Sequence, residues 1–414
     1  MYLSVEMPLW LNKDVCTLEC GDDPIHRSFF HHEAEAISRT YGNHPSFLMF
    51  ANGNENMGDF SLLEDITTQI KALDNRRLYT LTSNFDHPIL PCEDYLCAFE
   101  AGGHKIRIQD LHDEVGKDTC LTYEAAVNDV PIPIISFETG QYCTYPDLDI
   151  MDKYTGNMVP VNYYSIKKHM EKYGVSNRMK DYAKASGDLA VKLYKEDIEA
   201  VMRTHHMGGF QLLALTDYTG QDTATIGILD AFFESKGFIS PAEFRNFCGP
   251  VVPLFKAKRI FTVGEILHAQ LDLYDYGEKA IPDPTYKITL SKEASGSLYC
   301  KDHQIPKLDI PSRLISHAME VKVTLSVEQY QNSWRIFVFP KTEKTQNPTV
   351  LNSLTQGKRT IGKWRYRNPY TCSFKGIYPR KLYPGILVPH VLPYHQPMRS
   401  HYPPGAPDFP GFPH

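Results

Sequence analysis

The stretch His44–Glu55, HPSFLMFANGNE, decides how the chain is read. Phe47–Phe50 is a short apolar run bounded by turn residues, the pattern of a buried strand. It runs into a turn of small residues that ends on Glu55. A carboxylate at the carboxyl end of a buried strand lies where a (β/α)8 barrel places its chemistry. The segment Ile132–Gly140, IPIISFETG, has the same construction and presents Glu138. Two glutamates so placed are the minimum equipment for cleaving a glycosidic bond, one as acid/base and the other, in a retaining enzyme, as nucleophile.

Outward from these two segments, strand-like and helical runs alternate. Strands are predicted at Tyr2–Met7, Phe47–Phe50, Leu78–Thr82, Tyr95–Phe99, Ile132–Phe137 and Phe210–Leu215. Helices are predicted at Glu33–Tyr41, at Phe60–Leu73 with Asp59 as its cap, at Leu121–Val127, over Tyr163–Arg203, and at Ile226–Glu234. This alternation implies βαβ units and a parallel sheet, hence an α/β fold. The near-continuous apolar strands fit a sheet covered on both faces.

The pattern changes near Pro250. Arg259–Val263, Ala269–Leu273, Lys287–Leu290, Val321–Leu325 and Trp334–Phe339 read as short strands of a small β-sandwich. From residue 342 the chain turns polar, then rich in Pro, Tyr, His and basic residues, with no periodicity; such a segment cannot bury enough apolar surface to fold alone. The predicted organisation is residues 1–250 as an α/β unit, 251–341 as a β-sandwich, and 342–414 as an irregular, disordered tail.

Bulk properties limit the function. The 414 residues, 42% hydrophobic and 22% charged, are those of an ordinary globular protein. A net charge of -6 argues against a general nucleic-acid or membrane-surface role. No apolar run approaches the about 20 residues that cross a bilayer. Nine cysteines, an odd number, fit a paired disulfide framework poorly, and Cys16 and Cys20 have no partner pair at zinc spacing. The chain opens on strand-like sequence, MYLSVEMPLW, with no signal peptide.

Further candidates lie at or beyond the predicted strand ends: Trp10, Asn84, His104, Tyr142 and Asp217 could line a sugar pocket. Aromatic faces stack on sugars, and amides and carboxylates bind hydroxyls. For each, a structural role is at least as good a reading. His31-His32 and His205-His206 have no third ligand at useful spacing. Gly102-Gly103 reads as a turn rather than a phosphate cradle, and Asp147 and Asp149 read as a polar loop rather than a calcium site. No metal and no organic cofactor is expected.

The residues also carry a resemblance. HPSFLMFANGNE resembles the HPS…GNE segment of glycoside hydrolase family 2, which includes β-galactosidases, β-glucuronidases and β-mannosidases. PIISFETG resembles its strand-seven segment, with Ser136-Phe137-Glu138 where the family usually has Ser-Glu. MYLSVEMPLW resembles strand three, GGFQLLALTDYTGQDTATIGILDAFFESKG resembles strand eight and its helix, and NSWRIFVFP resembles the end of the immunoglobulin-like sandwich that follows the barrel in some bacterial members. The likeness covers about residues 1–340.

By that resemblance the fold is a partial TIM (β/α)8 barrel followed by an immunoglobulin-like sandwich, and the substrate is a β-linked glycan or oligosaccharide. Glu55 is then the acid/base with a raised pKa, Asn54 a hydrogen-bond partner of the sugar 2-hydroxyl, and Glu138 the ionised nucleophile. Full-length relatives of this kind are often exported, and oligomeric state is left open. The match starts at strand three, without the strand-two arginine that the family uses near its nucleophile. A truncated gene whose reading frame slips after about Leu351 would account for both ends. Three readings therefore stand: an active retaining glycosidase, a silent remnant or carbohydrate-binding protein, and a chain completed by a separate one.

Overall fold

A computed structural model of the chain describes residues 2–13, 24–84, 87–108, 111, 116–220, 223–291, 297–300, 308–309 and 318–341. Cys16, Cys20 and the predicted tail 342–414 lie outside them.

The first part is a parallel array. Its elements are β1 (Leu3–Glu6), α1 (Pro24–Tyr41), β2 (Phe47–Ala51), α2 (Ser61–Leu73), β3 (Leu78–Thr80), β4 (Ser83–Asn84) and β5 (Leu96–Ala98). There follow a small hairpin of β6 (Glu100–Ala101) and β7 (His104–Lys105), then α3 (Glu124–Val127), β8 (Ile134–Thr139), α4 (Val161–Lys172), α5 (Met179–Arg203) and β9 (Met207–Leu212). One sheet has the order β1-β2-β3 and another β4-β5-β8-β9, every neighbour parallel. A parallel bridge between Asn54 and Ser83 joins the two. The paired parallel strands therefore follow one another in sequence order, as consecutive elements usually do.

Residues on both faces of the inner strands β2, β5 and β8 are buried or partly buried, for which their sequences are suited. On one face the apolar stripe of α2, Leu62, Leu63, Ile66 and Ile70, packs with Phe47, Phe50 and Tyr79. The stripe of α5, Ala190, Tyr194, Ile198 and Val201, packs with Leu96, Ala98 and Ile134. Alternate residues point the other way, as the strand period dictates. There Tyr95, Cys97 and Phe137 form a small cluster with Met49 and Ile135.

After β9 the predicted helix over Ile226–Glu234 does not form. The segment is irregular, and a short helix, α6 (Pro241–Arg245), begins later behind a Ser240/Glu243 capping box. Tertiary ties override the helical pattern: the Asp217 carboxylate accepts from the Gly227 N–H at 2.9 Å, and Lys236 Nζ donates to the Gly227 carbonyl at 2.9 Å.

The remainder is β structure: β10 (Val251–Lys256), β11 (Ile260–Thr262), β12 (Ile266–Leu267), β13 (Gln270–Asp275), β14 (Tyr286–Ser291), β15 (Ser297–Cys300), β16 (Leu308–Asp309), β17 (Met319–Val327) and β18 (Tyr330–Phe339). A five-stranded sheet, β11-β18-β17-β14-β15, shares a core with the β10-β13 pair: Phe255 and Leu271 meet Tyr286, Ile288, Val323 and Trp334. β10, β15 and the two-residue β12 and β16 have no counterpart among the predicted strands; β13, β14, β17 and β18 are longer than the predicted runs, and β11 is shorter.

A buried polar knot ties α5 to this β region. The fully buried Glu199 carboxylate accepts from Arg203 Nη2 (2.8 Å), Asn332 Nδ2 (2.7 Å), Trp334 Nε1 (2.9 Å) and Lys195. Burial pushes Glu199 up, but Lys195 and Arg203 together hold it below the ordinary range.

Candidate active site

Three side chains that converge at the carboxyl ends of the parallel strands sit on strained backbone. Glu55 (φ 53), Asn84 (φ 89) and Glu138 (φ 48) all adopt the left-handed region. For residues other than glycine this costs about 1–3 kcal/mol each and gathers at functional sites.

Local packing imposes the conformation at Glu55. The Asn54 N–H donates to the Leu9 carbonyl and the Glu55 N–H to the Ser83 carbonyl, both at 3.1 Å, so the chain is clamped between neighbours on each side. Gly53 (φ 124) passes so close that a Cβ there would lie 2.1 Å from the Leu9 carbonyl oxygen; only glycine fits. Clamped this way, the Glu55 carboxylate accepts from Trp10 Nε1 at 3.1 Å and from Asn84 Nδ2. Next to it, Asn54 Oδ1 is buried with no hydrogen-bond partner in the protein.

Glu138 is placed by a bulge. Ser136 pairs with Phe210 and Thr139 with Leu212, so β8 spends one more residue than β9 over this interval. The surplus residue is absorbed by a local kink, which re-aims a side chain as bulges next to active sites do. Ser136 Oγ donates to the Ile106 carbonyl at 3.0 Å, while Phe137 turns into the Tyr95–Cys97 cluster.

The surroundings of Glu138 differ from those of Glu55. Gln141 Nε2 donates to Glu138 Oε2 at 2.7 Å, and Arg107 Nη1 stands 4.0 Å from the same oxygen. Arg107 is nearly buried, its guanidinium carbon 4.8 Å from the Phe99 ring centroid, a cation–π contact. Burial pushes the Glu138 carboxyl up to about 7; Arg107 pulls it down, while the charges of Glu6 and Glu55 add to the rise. Glu138, expected to stay ionised, is instead pushed toward neutrality: one partly distant cation does not offset burial and two neighbouring carboxylates.

Glu6, at the end of β1, is a third carboxylate near this site. Burial raises its pKa, with Ser83 and Gln211 pulling the other way, and its Oε1 is buried without a hydrogen-bond partner. Gln211 lies on β9 and Ser83 on β4, so side chains from the first and last strands of the array reach a common interior.

Of the residues predicted to line the site, Trp10 and Asn84 contact Glu55 directly. Glu55 and Glu138 lie close enough to feel each other's charge. Tyr142 is buried and donates its hydroxyl to Asp197 at 2.6 Å, as Tyr123 does, so it props the wall behind the Glu138 loop. Asp197, fully enclosed, is pushed up to about 6 by burial against the pull of these two tyrosines. Asp217 is buried and paired with Lys236, where it fastens the loop after β9. His104 is exposed on the β6–β7 hairpin, outside this contact network, with Gly102-Gly103 as the turn.

Arg107, Gln141 and Glu6 are additions that sequence reading missed. Arg107 follows a glycine turn in a segment with no periodicity. Gln141 had a usable signal, three residues beyond Glu138. Glu6 had one too, a carboxylate at the end of the first strand.

No protein-family model matches the chain, and no curated protein does. Solved structures similar to it include a β-glucuronidase from Bacteroides uniformis, with 11% identity, a TM-score of 0.36, and coverage of 84% of this chain and 43% of that one. A β-glucuronidase from Parabacteroides merdae gives 12%, 0.35, 84% and 42%. An exo-chitosanase from Amycolatopsis orientalis gives 15%, 0.43, 76% and 39%. The chain spans less than half the length of each. Likeness at these scores carries no argument about activity.

Proposed function

We propose that the chain is a retaining glycoside hydrolase acting on a β-linked glycan or oligosaccharide, with a family 2-like (β/α)8 architecture for its parallel array, organised as residues 1–250, and an immunoglobulin-like sandwich over 251–341. The observation that carries this reading is the pair of strained strand-end glutamates, Glu55 and Glu138, within reach of each other's charge and held by different neighbours. Glu55 protonates the leaving oxygen and later activates water; Glu138 attacks the anomeric carbon to form a glycosyl-enzyme. Arg107 supports this division, because a cation beside a carboxyl favours the anion that a nucleophile must be.

A second reading, sugar binding without turnover, draws on one observation: with a pKa of about 7, Glu138 is only half ionised at neutral pH. An aryl β-glycoside panel from pH 6 to 9, run beside calorimetric titration with the same sugars, separates the two. Hydrolysis that Glu138→Gln abolishes supports the glycosidase. Binding with no hydrolysis at any pH leaves the second reading, and hydrolysis undiminished in Glu138→Gln ends the assignment.

A further inference from the structure

Behind the loop that follows Glu138 lies a buried carboxyl that the proposed chemistry does not use. Asp197, on α5, is fully enclosed, and each of its oxygens is taken by a tyrosine: Oδ1 accepts from the Tyr123 hydroxyl and Oδ2 from the Tyr142 hydroxyl, both at 2.6 Å. A carboxyl is a costly way to fill space, because its burial must be offset by hydrogen bonds. From Tyr142 the contacts run back to Glu138 without a break. The Tyr142 N–H donates to the Gly140 carbonyl at 2.8 Å, closing a tight turn around Gln141. Gly140 (φ 96) is pressed against Tyr194: a Cβ there would lie 2.1 Å from that ring. The Tyr142 and Tyr194 rings meet edge to face, their centroids 5.2 Å apart. Tyr194 and Asp197, three residues apart on one face of α5, thus grip the residues on both sides of Gln141. The Gln141 amide held between them donates to Glu138 Oε2 at 2.7 Å.

We propose that Asp197 is a positioning residue for Glu138: through the Tyr142 hydroxyl it fixes the turn that aims the Gln141 amide at the carboxyl. That this carboxyl is the nucleophile rests on the glycosidase reading; how it is held does not. A donor aimed at a carboxylate oxygen favours the ionised form. Glu138 also faces Arg107, Glu6, Glu55 and the Cys97 thiol. Arg107 lies in the field of Asp197 as well, so the informative variant is Tyr142→Phe, which cuts the tether and leaves these charges in place.

The test reads a titration, so it does not need turnover. Carbon-13 NMR of the full chain, labelled at the glutamate carboxyls, gives the midpoint of Glu138, whose signal is the one missing from Glu138→Gln. Gln141→Ala should raise that midpoint by about half to one pH unit, the scale of one hydrogen bond lost from a carboxylate. Tyr142→Phe should raise it by at least about half as much, and the two together no further than Gln141→Ala alone, because both act through one hydrogen bond. Tyr123→Phe, which frees the other oxygen of Asp197, should leave the midpoint in place. In an Asp197→Ala background Tyr142→Phe should change nothing, since the hydroxyl then has nothing to hold; should that background not fold, Tyr142→Phe against Tyr123→Phe decides alone. A midpoint that Tyr142→Phe leaves unmoved or lowers, as a loosened loop that admits water would, overturns the inference. So does a full further rise when it is combined with Gln141→Ala. Failure of the glycosidase reading looks different: the midpoints would move as expected while the wild-type protein hydrolyses no aryl β-glycoside.

Discussion

Glu55 and Glu138 reach the same region from strands built alike, and the protein treats them differently. Glu55 is held by two neutral donors, the indole of Trp10 and the amide of Asn84. Glu138 lies beside an arginine and in the field of two other carboxylates. Similar backbone devices, a strand end and a left-handed residue, thus deliver two carboxyl groups with different chemistry.

The largest effects are expected in turnover. Glu138→Gln should lower kcat by about four orders of magnitude or more for every leaving group, because no covalent intermediate forms without the carboxylate. Glu55→Gln should cost about 10²–10⁴-fold on alkyl glycosides, the usual worth of general acid catalysis. It should cost far less on dinitrophenyl glycosides, whose leaving group needs no proton. Equal leaving-group dependence in the two variants would erase the distinction.

Next in size is an effect on stability. The Glu138 carboxyl has an ordinary value of 4.5 and a folded value of about 7. Between these the native state holds more protons than the unfolded state, so Glu138 weakens the fold as pH rises through that window. Glu138→Gln should therefore be more stable than wild type at pH 8, by up to about 3 kcal/mol, with the difference vanishing near pH 4. Thermal unfolding at the two pH values measures it; an equal gain at both would mean that packing rather than charge is responsible.

The smallest effect concerns Arg107. Removing its charge as Arg107→Gln should raise the acidic limb of the kcat/KM profile by about one pH unit, a roughly fivefold loss at pH 7 that is recovered by pH 9. Arg107→Lys should restore part of the shift. A loss that is the same at every pH would make Arg107 a packing residue only.

How much of this was legible in the sequence follows from what each residue depends on. FLMFA and IISFET announce strands because local composition decides them, and the glutamates at their ends were readable for the same reason. The Ser136-Phe137-Glu138 spacing looked irregular in sequence; the bulge against β9 accommodates it. The helical pattern over Ile226–Glu234 is overridden because Asp217 and Lys236, ten and nine residues from Gly227, hold it in another conformation. Arg107 was invisible as a neighbour of Glu138 because the hairpin, not the sequence, brings it there, whereas Glu6 carried the signal of a carboxylate at a strand end. The charge state of Glu138 was misjudged for the same reason: it depends on burial and on distant carboxylates.

The roles of the two glutamates can be read directly from a product. Glu138→Gly and Glu55→Gly, supplied with azide and a dinitrophenyl β-glycoside, each leave a space that azide can enter. If Glu138 is the nucleophile, azide replaces it on the far face of the sugar and the product is the α-glycosyl azide. If Glu55 is the acid/base, azide attacks the glycosyl-enzyme from the leaving-group side and gives the β-glycosyl azide. The account predicts α from Glu138→Gly and β from Glu55→Gly; the reverse pairing, or the same anomer from both, would contradict it.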